Sequence, residues 1–503
     1  MQTQSSSSSS SHTISVNNKG PPRGHDDTLD HDEHTPLLAQ QQDIPDQQQR
    51  RLSEWNVIIP VCSIMFCGAA ILAPQLQFLT EIFCDRYYDS RSEVNDDDSS
   101  IPIQDCTIPQ VQGIVATAQA VIQLLTGGST LLAVSYFGHM SDIKGRVTVI
   151  RIGVFGIALL FSTYIVVGKL YNVIGILPLF VVSAIRGLLV GDTGLIMAVQ
   201  TYISDCTTTE RRTVAFGRMI AGLVCATMLG ANASSMVIKA FGSTLAPFYM
   251  ALIISTVVFF ATYAIPESNK HQEHSKSTAP SVWQQLNMFR SVKTLFSFQS
   301  PLPVSKYALP LMASVSFLNT VVLMPPILLY AMLEYHWTAY EGGLLIGVMS
   351  FAKLIITTVV LPILNKLIIT RGITSEAQRA DRLLRFNIWM VRIGCAFMAL
   401  ELFAIGLART ASEMLVAVLI GSFSMLGQPS GRALLTTLVD PADVGKVLGA
   451  VATVDTVGML LAQFGMNAVY GATVSFMPSF TFHLCGVIAT LSCTAACFIR
   501  YKR

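Results

Sequence analysis

Apolar residues gather along this chain in long runs separated by short polar turns. Twelve runs follow one another, at about 55–79, 110–137, 147–168, 174–203, 214–239, 244–265, 307–332, 340–369, 387–408, 412–438, 445–473 and 478–500. About 20 apolar residues wound as a helix are enough to cross the hydrocarbon core of a bilayer. The pattern predicts an all-α membrane protein of twelve transmembrane helices. Its longest internal polar connection, residues 266–306, divides them six and six. Four regions result: a polar tail over 1–54, a helical region over 55–265, the linker 266–306, and a second helical region over 307–503.

Composition sharpens this reading. Only 13% of the 503 residues are charged and 51% are hydrophobic, where a soluble protein carries about 25% charged residues. The net charge of +2 and the lack of a basic tract argue against a nucleic-acid partner. The first 50 residues are polar, so no cleavable signal peptide is expected and the first span serves for targeting. That tail carries a serine run, Ser5–Ser11, then mixed Asp and His, then glutamines. It cannot bury a core and reads as disordered.

Loop charges orient the chain. One set of connections holds Arg50 and Arg51; Lys144, Arg146 and Arg151; Arg211 and Arg212; Lys366, Arg371, Arg379, Arg382 and Arg385; and Arg500, Lys502 and Arg503. The opposite loops are short or acidic, as in Asp96-Asp97-Asp98. The excess of Lys and Arg on one side places both termini in the cytosol. Cys84 and Cys106 bracket the acidic loop. On an extracytosolic face a disulfide closing it is sensible, and two unpaired thiols stand as the equal alternative. In the linker, Val282, Leu286, Phe289 and Phe296 fall near one helical face with Arg290 and Lys293 nearby, which reads as an amphipathic helix on the cytosolic surface.

Between the second and third runs lies Gly138–Arg151, GHMSDIKGRVTVIR, a charged turn that the bilayer surface must hold. Gly138 and Gly145 permit tight backbone there, and Asp142 is placed at a helix start, where the dipole favours a carboxylate. The pattern G-x-x-x-D-x-x-G-R resembles the signature loop of the major facilitator superfamily, departing from it where a basic residue is usual, at Ile143 and Val147. The stretch Gly191-Asp-Thr-Gly194 through Tyr202-Ile-Ser-Asp205 to Phe216-Gly217 looks like tetracycline-efflux and proton-coupled folate transporters. So do the Cys84…Tyr87-Tyr88…Cys106 loop and Pro266-Glu267-Ser268, and fungal members of the superfamily match these features best. The likeness covers about 55–265 well and the second half by layout, helped by an echo between Thr201–Asp205 and Thr437–Asp440. The glycine-proline motif expected in the fifth span of antiporters is not intact, since Gly222–Gly230 lacks the proline. The resemblance implies two pseudo-symmetric six-helix bundles around a midplane solute site. It also implies a latch of the outward-facing state made by Gly138, Asp142, Gly145, Arg146 and Asp205.

Charges inside the spans are the sharper clue, since each costs roughly 2.5–3.5 kcal/mol at a helix centre and marks a pathway by default. Arg186 and Asp192 bracket the centre of the fourth run, Lys353 lies in the eighth and Asp455 in the eleventh. Lys353 is suited to anchor an anionic solute or to pair with Asp455. Asp192 is suited to carry a proton. Each has a plainer reading as a structural ion pair, which is the favoured one for Arg392, Glu401 and Arg432. Gln75, Gln119, Gln123, Gln200, Asn319 and Gln428 are cavity-lining candidates or helix–helix hydrogen bonds.

No GxxxxGK[ST] supports ATP drive, no His/Cys set has metal spacing, and no nucleophile–base pairing suggests an enzyme, so no cofactor or metal is expected. The sequence therefore points to a secondary transporter of a small organic solute working by alternating access, with proton coupling. A proton-independent facilitator and a non-transporting receptor or scaffold on the same fold are the alternatives. Glu33-His-Thr-Pro-Leu37-Leu38 resembles an acidic dileucine signal read by sorting adaptors, or is two leucines by chance. It tilts location toward vacuolar or endosomal membranes, with the plasma membrane next.

Overall fold

Every element among the described residues is a helix, and no strand occurs there. The computed structural model describes residues 53–92, 106–207, 209–268, 307–369, 376–439 and 444–499. Glu33, Leu37 and Leu38, the linker stretch Val282–Phe296 and the side chain of Asp142 lie outside what is described. Before the linker come α1 (Trp55–Ser92), α2 (Pro109–Lys144), α3 (Arg146–Ile174), α4 (Leu177–Leu188), α5 (Gly191–Cys206), α6 (Thr209–Phe241) and α7 (Ala246–Ala261). After it come α8 (Ala308–Val321), α9 (Ile327–Glu334), α10 (Ala339–Ile355), α11 (Leu361–Ile369), α12 (Glu376–Leu407) and α13 (Ala411–Gly421). The chain closes with α14 (Gly427–Thr437), α15 (Val444–Leu460), α16 (Met466–Thr473) and α17 (Phe480–Phe498). Among the described residues, nine helical stretches are long and apolar enough to cross a membrane, and α7 and α8 are shorter apolar helices. The protein is a multi-pass integral membrane protein.

Several expected spans are built from pieces, each for a local reason. α8 and α9 are parted at Pro325-Pro326, since proline offers no N–H to continue the ladder. Single π turns, Ile356–Val360 and Leu461–Gly465, join α10 to α11 and α15 to α16. A 3-10 turn, Ser422–Leu426, joins α13 to α14. The fourth expected span is two helices, α4 and α5, because Val190 (φ 87°) and Gly191 (φ 61°) leave the helical region. Positive φ at a β-branched residue is a true outlier, and Val190 is fully buried. A Cβ on Gly191 would run into the Thr130 side chain of α2, so the break sits hard against α2.

The turn expected over Gly138–Arg151 is smaller than its sequence suggests. α2 continues through Gly138 and Asp142 to Lys144, and one residue, Gly145 (φ 99°), makes the corner into α3. Asp142 therefore lies in the last turn of α2 and not at a helix start. α1 likewise runs beyond its apolar stretch to Ser92, so that Cys84 sits within a helix and is disulfide-bonded to Cys106 just ahead of α2, Cα to Cα 5.3 Å.

Packing before the linker centres on aromatic rings from three helices. Tyr164 of α3 stacks on Phe248 of α7 at 4.9 Å between centroids, and Phe78 of α1 meets Tyr164 edge-on at 5.7 Å. All three are buried.

Helices from before and after the linker meet closely near the disulfide. The Ala339 N–H donates to Gln77 Oε1 at 2.6 Å, and Ser235 Oγ donates to the Tyr340 carbonyl at 2.8 Å. A Cβ on Gly343 would overlap Ser235 Oγ and stand 2.9 Å from the Ala231 carbonyl; one on Gly347 would overlap Asn232. Gly113 of α2 and Gly471 of α16 also approach backbone to backbone, with 3.3 Å from a Gly113 Cβ to the Gly471 carbonyl. Small residues are what allow helix backbones to come this near inside a bilayer.

Candidate functional site

The break in the fourth span places two opposite charges at facing helix ends. Arg186 lies in the last turn of α4 and Asp192 in the first turn of α5, each on the terminus whose dipole favours it. They form an ion pair between Arg186 Nη2 and Asp192 Oδ1. Arg186 is mostly enclosed, its side chain 18% exposed, whereas Asp192 is 61% exposed. Arg186 Nε is buried without a hydrogen-bond partner. The guanidinium thus holds Asp192 while keeping donor capacity that the protein does not use.

On α1 and α2, Gln75 Nε2 donates to Gln119 Oε1 at 3.3 Å. Gln123, one turn further along α2, is half-buried. Gln200 on α5 and Gln428 on α14 are exposed. Asn319 has a different character from these: it donates to Cys395 Sγ at 3.4 Å and accepts from Ser492 Oγ at 2.8 Å. Those bonds tie α8 to α12 and α17, the helix–helix role.

After the linker the charges pair differently from the Lys353–Asp455 partnership that the sequence offered. Asp455 of α15 accepts from Ser316 Oγ of α8 at 2.8 and 3.0 Å and faces Arg432 Nη2 of α14 at 3.6 Å. Arg432, read from sequence as structural, remains 63% exposed. Lys353 is not among these partners of Asp455. Arg392 does have a structural setting: its guanidinium donates to the carbonyls of Ala496, Cys497 and Ile499 and so caps α17. Neither Glu401 nor Arg432 was separable from Arg392 by sequence position. The one available signal was that each is a charge within an apolar run. Each of the two π turns follows a charged residue by a few positions, Lys353 and Asp455 respectively. Such turns recur at functional sites.

The Gly145 corner gathers a second polar group. Arg146 pairs with Asp205 at 3.3 Å and donates to Ser141 Oγ at 3.1 Å. Asp205 also accepts from Ser268 Oγ at 3.2 Å. Glu267 accepts the backbone N–H groups that open α3, from Arg146 at 2.7 Å and Val147 at 3.1 Å. It fills the place at the helix start expected for Asp142. Tyr202 donates to the Pro266 carbonyl at 2.9 Å, and Arg151 binds Thr262 and lies 3.9 Å over the Tyr263 ring. All of these residues come from the helical region before the linker or from the linker's first three positions. A cavity of about 750 Å³ opens elsewhere, near the disulfide, between apolar groups of Phe83, Ile114, Phe180 and Val474.

A family model described as "Major Facilitator Superfamily" matches residues 58–463. Among similar proteins, the "MFS-type transporter avaJ" of Aspergillus versicolor is 24% identical over 498 residues, covering 94% of this chain and 95% of its own. The "Proton-coupled folate transporter" of Rattus norvegicus is 27% identical over 361 residues, covering 71% and 72%. Among solved structures, a D-xylose-proton symporter superposes with a TM-score of 0.60 at 13% identity, covering 90% of this chain and 98% of that one. That last likeness is one of fold.

Proposed function

Because this chain belongs to the major facilitator superfamily and is a membrane transporter of that kind, we propose that it moves a small organic solute by alternating access, coupled to protons through Asp192. The reading takes the chain as twelve spans in two pseudo-symmetric six-helix bundles, 55–265 and 307–503, that rock about a central solute path. The observation that carries it is the Arg186–Asp192 pair at the broken centre of a membrane span. An exposed carboxylate held by a single guanidinium can take up a proton and let go, and the released Arg186 gains free donors at the same moment. A charge placed inside a span marks a pathway by default.

The contacts at the disulfide end support a state closed there, with the Gly145 corner at the opposite end of α2. By the loop charges, that corner faces the cytosol. Arg146, Asp205 and the Gly145 corner then belong to a latch that engages the second bundle when the transporter turns outward. Gln75, Gln119, Gln123, Lys353, Asp455 and Gln428 line the path. The acidic dileucine tail directs the protein to vacuolar or endosomal membranes through sorting adaptors.

The test is uptake into proteoliposomes, with and without an inward proton gradient, against a panel of organic acids, vitamins, sugars and drugs. Flux that follows the gradient and loses that dependence in Asp192→Asn is the expected result. Flux indifferent to the gradient would leave a facilitator, and binding without flux would leave a receptor.

A further inference from the structure

The cavity near the disulfide belongs to neither the Arg186–Asp192 pair nor the Gly145 corner. It measures about 750 Å³ and is walled by α1, α2 and α4 on one side and by the end of α16 on the other. Phe83, Ile114 and Phe180 stand on the first wall, Gly471 and Val474 on the second. Gly113 and Gly471 close the seam between the walls, since a Cβ on Gly113 would stand 3.3 Å from the Gly471 carbonyl.

The faces of α2 fix the direction in which the cavity opens. Gln119 is buried and bonded to Gln75 of α1. Ile114 and Val121 lie about 140–160° round the helix from it, at about 100° per residue. Both are exposed, as is Leu132 on the same stripe. A stripe of exposed apolar side chains on a membrane span meets hydrocarbon. The cavity therefore opens to the bilayer and away from the Gln75–Gln119 pair.

Polarity is ordered along its depth. Gln110 is the second residue of α2 and Ser475 lies just past the end of α16, both exposed. Deeper in, Thr117 spends its hydroxyl on the Gly113 carbonyl at 2.8 Å, and Ala118 and Val121 are apolar. Gln110 to Val121 is about 16 Å of helix, close to half of a hydrocarbon core ~30 Å thick. The fitting ligand has one neutral polar end and an apolar body as long as a single leaflet is deep. No charged residue is among those that line the cavity, so nothing there answers a phosphate. The volume falls in the range of about 300–1,000 Å³ that compact, drug-sized ligands fill. A single acyl chain is a thin rod that would lose more conformational freedom on being held there than a rigid ring system does.

We propose that this cavity binds a membrane sterol, with its hydroxyl at Gln110 and Ser475 and its rings among Phe83, Phe180 and Val474. Because the walls come from both sides of the linker, a seated sterol holds them together. It favours the state closed at the disulfide end by as much as it binds that state better than any other. The binding stands apart from the transport reading, and only this effect on the cycle rests on it.

Photolabelling of the full chain in phosphatidylcholine vesicles that carry a diazirine sterol reads the site. Labels should fall on α2 between Gln110 and Val121 and on the end of α16, and excess unlabelled sterol should remove them. Ile114→Trp and Val121→Trp fill the cavity from exposed positions, and each should lower that labelling about tenfold. Leu132→Trp, on the same stripe but outside the cavity, should leave it unchanged. Labelling spread over the exposed helices and indifferent to the first two variants would mean annular contact only, and overturns the site. A diazirine phosphatidylcholine that labels these residues where the sterol does not would overturn the sterol and leave an acyl chain as the occupant. Failed uptake in the same vesicles would sink the transport reading and leave the labels where they are.

Discussion

Glu267 Oε1 accepts the backbone N–H of Arg146 at 2.7 Å, across 121 positions of sequence. A carboxylate at a helix start both satisfies orphan donors and meets the positive end of the dipole. Glu267→Ala should cost about 1–2 kcal/mol, read as a lower unfolding midpoint in detergent, with Glu267→Asp recovering part of it. No loss in the alanine variant would mean that water caps α3 equally well.

Arg146 and Asp205, paired at 3.3 Å, should be energetically coupled. A double-mutant cycle with Arg146→Gln and Asp205→Asn should return a coupling of about 0.5–1 kcal/mol, since both groups remain partly open to water. Strict additivity would show the two charges to be neighbours without interaction.

The Gly343 and Gly347 approach to α6 predicts a wedge effect. Gly343→Val places methyl groups where Ser235 Oγ and the Ala231 carbonyl already stand. Flux should fall about tenfold or more while the protein stays folded, because closure at the disulfide end is what the bulk prevents. Gly128→Val has no such neighbour within 4 Å and should transport normally. Equal flux in the two variants would show that the close approach does not matter to the cycle.

The Cys84–Cys106 bond predicts a labelling difference. Thiol-reactive polyethylene glycol, applied to the unfolded chain, should add two further groups after reduction. Cys84→Ser with Cys106→Ser should abolish that difference and cost about 3 kcal/mol on the chain-entropy account. Identical labelling before and after reduction would mean that the thiols are unpaired.

Hydrophobic run length carried most of the architecture, because crossing a bilayer imposes a length that composition alone reveals. What it could not carry were the interruptions. Val190 is a β-branched residue in an apolar stretch, and nothing in its side chain announces its positive φ; the break becomes visible only with Gly191 set hard against Thr130. The end of α2 was hidden for the opposite reason, since Gly138 and Asp142 look like turn residues but continue the helix. Charges inside runs were visible as candidates, whereas their partners were not. Asp455 with Arg432 depends on which helices lie side by side, and helix adjacency is not written in any one helix. Arg392, Glu401 and Arg432 look alike in sequence, yet one meets helix-end carbonyls, one fills the space left by Gly421 and one faces Asp455.

The π turn at Ile356–Val360 follows Lys353 by three positions. It can be viewed as one residue more than a plain helix needs, inserted between the part of the span that bears the lysine and the part that continues as α11. An α-helical residue turns the chain through about 100°. Losing a single codon within that turn would leave the hydrophobic length almost untouched and rotate Lys353 by that angle against everything beyond it. Chains related by such a deletion would keep the fold, the topology and the lysine, yet point the ammonium at a different neighbour. Among relatives of this transporter, selectivity can therefore diverge through a change of length as readily as through a change of side chain.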